Sequence, residues 1–86
     1  MGDAEKVEVE VVRVHESLAP DWVKKSWSGK RMPAVLMRSS IFVKTENGLK
    51  SLETDSPAAA RWLREHLPRR TLFFVFKQEE VKILSP

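Results

Sequence analysis

Between Trp22 and Thr45 the chain carries Lys24, Lys25, Lys30, Arg31, Arg38 and Lys44 and no acidic residue. Trp22, Trp27 and Phe42 are interleaved with these cations, and Arg69, Arg70 and Phe73 form a second, smaller set. None of these groups points to covalent chemistry. Together they can hold a polyanion: scattered cations track phosphates without needing exact spacing, and flat side chains stack unpaired bases. The pattern therefore suggests a surface for single-stranded nucleic acid. A solvated basic loop, or a second small core built around Trp22 and Trp27, is the alternative reading of the same residues.

Residues able to do catalysis are few. His15 and His66 are the only histidines, and no carboxylate spacing places a metal ligand set around them. His66 falls on the packing stripe of a helix, where a satisfied histidine is the ordinary case. Ser39-Ser40 lacks the flanking glycines of a nucleophile elbow, and no glycine-rich phosphate loop is present. Asp55 beside Ser56 reads as a helix cap. No enzyme, metal or cofactor is expected, though a small basic ribonuclease of the toxin type needs no motif. Duplex readers lack support too, since there is no helix-turn-helix or zinc-finger spacing. Arg70–Lys77 lacks the glycine that the inner strand of an RNA-recognition motif carries.

At 86 residues the chain is expected to be one domain, residues 1–86, with 42% hydrophobic and 31% charged residues as in an ordinary globular protein. Absence of cysteine leaves stability to packing. Asn47 and Gln78 are the only side-chain amides, a lean towards a thermophilic source. No apolar run approaches membrane-spanning length and the acidic N-terminus is unlike a signal peptide, so a cytoplasmic location is expected. The net charge is +3, but it is divided: residues 1–23 hold six acids against Lys6 and Arg13, and the basic block follows.

The elements that must position these groups are an α+β set: an antiparallel sheet of about four to five strands, a long helix and a short one. Val7-Glu8-Val9-Glu10-Val11 alternates as a strand over about 6–14, with a slip in phase near Val11-Val12. Pro20 suits the start of a short helix over about 20–27. Ala34–Lys44 reads as a bent strand or two strands broken at Ser39-Ser40. Asn47-Gly48 then predicts a hairpin turn that sets Lys44 against Ser51 and Val43 against Leu52. Ser56-Pro57 opens a helix over about 56–67, whose stripe is Ala59, Trp62, Leu63, His66 and Leu67. Leu72-Phe73-Phe74-Val75-Phe76 is a strand, and Gln78-Glu79 predicts a second hairpin. In that register Leu72, Phe74, Phe76, Val81 and Ile83 face the core. Arg38, Phe42, Lys44, Phe73, Val75, Lys77, Lys82 and Leu84 face the other way, with no element left to cover them.

The segment Trp22-Val23-Lys24-Lys25-Ser26-Trp27, the strand Arg38–Lys44 and the helical Arg61-Trp62-Leu63-Arg64 resemble the ThermoDBP-related single-stranded-DNA-binding proteins of thermophilic archaea. That resemblance implies a cleft with an apolar interior and a basic rim, and it favours single-stranded DNA over RNA. The expected site is Trp22, Lys24, Lys25, Trp27, Lys30, Arg31, Arg38, Phe42, Lys44, Arg69, Arg70 and Phe73. The competing expectation is a protein-interaction subunit, or a homodimer, using the same apolar face.

Overall fold

Strict alternation in the first strand divides the molecule into two sides. In the computed structural model, which describes residues 4–15 and 19–85, strand β1 (Ala4–Val11) buries Val7, Val9 and Val11 and turns Lys6, Glu8 and Glu10 outward. A short helix α1 (Asp21–Trp27) follows, then strands β2 (Arg31–Met37) and β3 (Ser40–Lys44), helices α2 (Thr45–Asp55) and α3 (Pro57–His66), and strands β4 (Phe73–Lys77) and β5 (Val81–Ser85). The five strands form one antiparallel sheet in the order β4-β3-β2-β1-β5, so the fold is α+β. Among the described residues, no helix is long and apolar enough to cross a membrane.

All three helices lie on the face that carries Val7, Val9, Met32, Ala34, Ile41, Val43 and Phe76. Between them they contribute Val23, Trp27, Leu49, Leu52, Ala59, Ala60 and Leu63 to the buried core. In α1, Val23 and Trp27 are four residues apart and share the inward face. Asp21 in its first turn and Lys24 and Lys25 in its last complement the helix dipole. Gly29, at φ +85°, takes the left-handed conformation just beyond the helix and sends the chain into β2. Between β2 and β3 the turn is Arg38-Ser39, with Arg38 at φ +54°.

The expected hairpin at Asn47-Gly48 is replaced by α2. Gly48 is helical and buried, and it supplies closeness rather than a turn: a Cβ there would lie 3.0 Å from Phe74 Cε2 and 3.1 Å from Cδ2. Val43 and Lys44 accordingly pair with Phe74 and Phe73 instead of Leu52 and Ser51. Glu46 and Lys50 form an i,i+4 pair at 3.2 Å on the exposed side of the helix. Enlarging Gly48 to leucine should destabilise the protein by about 1–3 kcal/mol, despite leucine's better helix propensity, because Phe74 is wedged against Trp27. Thermal melts of the Gly48→Leu protein read this directly.

α3 begins and ends as expected, but the Ser56 hydroxyl donates to Ser26 Oγ at 3.1 Å and makes no side-chain cap bond. Arg64 donates to Glu53 Oε2 at 2.8 Å across the α2–α3 corner. That hydrogen bond, with the guanidinium charge, holds the Glu53 carboxyl below its ordinary range.

The second expected hairpin is also absent. β4 pairs with β3 and β5 pairs with β1, so the two strands joined by Gln78–Glu80 occupy opposite edges of the sheet. Phe76 therefore opposes Ile41, and Ile83 opposes Val9. Five flat strands would separate the outer pair by roughly 19 Å. The four peptide steps from Lys77 to Val81 span about 14 Å at most, and less in a 3-10 turn. The sheet must roll, bringing diagonal corners together. Glu80 fastens that closure: its carboxylate accepts the Lys77 N–H at 2.8 Å, and its carbonyl accepts those of Val12 and Arg13 at 2.8 and 3.1 Å. These bonds also explain why β1 stops at Val11, with its register irregularity lying between Glu8 and Val9 on the β5 side instead of near Val12. Leu72 and Ile83, expected in the core, are exposed because one precedes β4 and the other sits on the outermost strand.

Candidate nucleic-acid interface

The outward face of the sheet is built row by row from the strand pairing. Lys6 stands beside Val35, Val35 beside Phe42, and Phe42 beside Val75. In the next row Met37, Ser40 and Lys77 are neighbours, and Lys44 lies beside Phe73. Val75 is 59% and Phe73 41% exposed, Met37 is exposed, and Val35 and Phe42 are half-buried by their neighbours alone. Phe42 and Phe73 meet edge to face with ring centroids 6.3 Å apart. Because all three helices pack on the opposite face, this patch of aromatic and aliphatic groups meets solvent.

Cations border it. Lys6, Arg38, Lys44 and Lys77 are exposed, and none forms an ion pair among the described residues. No acidic residue occurs on β2, β3 or β4; Glu8 and Glu10 lie further off, on β1. Arg69 and Arg70 are exposed in the turn before β4. That turn is tied to the end of β3, because Thr45 donates its hydroxyl to Thr71 O at 3.0 Å and its N–H to Leu72 O at 2.9 Å. Thus Phe42, Lys44 and Phe73 share the outward face, with Arg38 in the turn at one end of β3 and Arg69 and Arg70 in the turn tied to its other end.

The remaining expected site residues are on the helical side, in the core or, for Arg31 on the outward face of β2, held by an acid. Trp27 is 3% exposed, packed at 4.6 Å against Phe74 and 5.9 Å against Phe76, and cannot stack a base. Its Nε1 is buried with no hydrogen-bond partner among the described residues. Trp22 is 47% exposed, but α1 carries it with Lys24 and Lys25 on the helical side, away from Phe42. Lys30 is engaged by Asp55, and Arg31 Nε donates to Glu10 Oε1 at 3.4 Å. The basic block of the sequence is therefore split three ways by the fold.

No protein-family model, curated protein or solved structure matches this chain.

Beneath the opposite side of β4 lies a second feature, a cleft of about 630 Å³ between α1, α3 and that strand. Trp27, Trp62, Leu63, Phe74 and Phe76 line it, with Lys24 and Glu80 among its polar groups. Trp62 stacks on His66 with centroids 4.0 Å apart, while His66 Nδ1 donates to Trp62 O at 2.8 Å. His66 is thus exposed at the cleft wall rather than part of the buried stripe. Val35, Met37 and Lys6 are the members of the outward face that sequence reasoning missed. The alternation of β1 does signal Lys6. The unbroken apolar run Met32–Met37 conceals which of its residues turn out.

Proposed function

We propose that this protein binds single-stranded nucleic acid, without strong sequence preference, across the outward face of β2, β3 and β4. The observation that carries this proposal is the contact between half-buried Phe42 and exposed Phe73 beside Lys44, with Arg38 and Lys77 at one end and Arg69 and Arg70 at the other. Each aromatic platform offers about 1–3 kcal/mol of stacking per base, and the cations supply the sequence-independent attraction to phosphate. The likeness to the ThermoDBP-related proteins favours single-stranded DNA over RNA within that class.

The test is fluorescence anisotropy of a labelled oligothymidylate titrated with protein over a series of salt concentrations. Tryptophan emission is a poor reporter here, since Trp22 stands on the helical side and Trp27 is internal. Affinity should fall as salt rises, and Lys44→Glu should weaken binding and lower the log–log salt slope by about one. Lys25→Glu, on α1, should change affinity little. An affinity indifferent to salt, together with a sedimenting dimer, would assign the apolar face to a protein partner instead.

A further inference from the structure

Among the described residues, the edge of β4 that faces away from β3 has no partner strand. Leu72 O accepts the Thr45 N–H, so by strand alternation Phe74 and Phe76 also direct their backbone groups to β3. Phe73, Val75 and Lys77 then direct theirs to the free edge. The Lys77 N–H, which turns away from β3 to meet Glu80 Oε1, confirms that phase independently. Among the described residues, no backbone bond reaches the N–H or C=O of Phe73 or Val75 from that side. All five residues of β4 border the cleft, so the strand edge forms one of its walls and the aromatic side chains its floor.

Natural sheet edges of this kind are normally covered or blunted, because unpaired backbone groups recruit another strand. Here, among the described residues, the edge is flanked by a groove wide enough for side chains rather than by a covering element. Charge selects among the occupants. Lys24 and Lys77 line the groove and have no ion-pair partner among the described residues. Among the described residues the acid that lines the groove is Glu80, which is buried, with its Oε1 accepting the Lys77 N–H and its Oε2 4.0 Å from His15 Nε2. We propose that the β4 edge docks an extended, acidic peptide segment by strand addition, with a bulky apolar side chain of that segment seated between Trp62 and Phe74. Backbone bonds to Phe73 and Val75 would supply affinity, and the cleft would select the side chain. This site uses the backbone edge and the inner cleft, and it stands whether or not the outward face binds nucleic acid.

Panning a random peptide library displayed on phage against the purified protein tests it, with the Val75→Pro protein as the counter-target. Proline removes an N–H that faces the groove and leaves the β3 ladder intact. Enriched peptides should carry large apolar residues at alternate positions with Asp or Glu beside them. When synthesised they should bind Val75→Pro about tenfold more weakly, the loss expected for one or two backbone hydrogen bonds. Circular dichroism of the variant establishes that it is folded, and its affinity for oligothymidylate is measured separately. Should Val75→Pro not fold, Lys24→Glu replaces it, and acid-flanked peptides should lose affinity while their Gln-substituted versions do not. No enrichment, enrichment of basic or patternless peptides, or equal binding by the wild-type and variant proteins would overturn the proposal.

Discussion

Replacing Trp27 by alanine should destabilise the fold by about 3–5 kcal/mol, whereas Trp22→Ala should change stability little. The two tryptophans sit five residues apart in one short helix, and only their direction differs. Trp27 turns inward and sets an edge-to-face contact with Phe74 at 4.6 Å, while Phe74 in turn closes on Gly48. Alanine at this position would remove the bridge between α1 and β4 and leave a cavity under the sheet. A domain of this size has roughly 5–10 kcal/mol of stability in total, so much of the fold's margin would go. Chemical denaturation of both variants measures the contrast. Near-equal midpoints for the two would show that Trp27 is not the keystone that its burial makes it.

The second large effect concerns binding. The double variant Phe42→Ala/Phe73→Ala should lose most of the affinity for oligothymidylate, with each ring accounting for about 1–3 kcal/mol and the pair being non-additive because the rings touch. Its salt slope should stay close to that of the wild type, since no phosphate contact is removed. Phe73 is exposed and Phe42 is half-buried on an open face, so the folded state should survive, as circular dichroism would show. Unchanged affinity in this variant, combined with loss in Lys24→Glu, would move the nucleic-acid site to the inner cleft.

These two expectations rest on parts of the molecule that differ in how far the sequence reveals them. The α3 helix is legible because Ser56-Pro57 and Pro68 mark its ends and its apolar stripe is regular. The outward direction of Phe42, Lys44, Phe73 and Val75 is legible as well, because alternation within a strand is a local property. Trp27 is half-legible: its four-residue spacing from Val23 marks an inward stripe, but the cations around it suggest a surface. Asn47-Gly48 misleads because the same glycine that permits a turn also permits close packing, and only the distant Phe74 decides between them. The Gln78–Glu80 connection misleads for a similar reason. Its short length suggests a hairpin, yet it is Val12 and Arg13, far away in sequence, that hold Glu80 and draw the chain across to β1. What is lost in each case is a tertiary partner, and no local pattern contains it.

The placement of β5 has a kinetic consequence. Val11 pairs with Val81, so nearly the whole chain lies between two neighbouring strands. During synthesis β1 can pair with β2 early, but its other edge must wait until β5 emerges, and Glu80 cannot fasten Val12 and Arg13 before then. Loop closure over such a separation slows folding relative to a meander whose strands all pair with their sequence neighbours. Until that last strand docks, the nascent protein presents an unprotected valine-rich border, and it is in this interval that aggregation competes most strongly with completion.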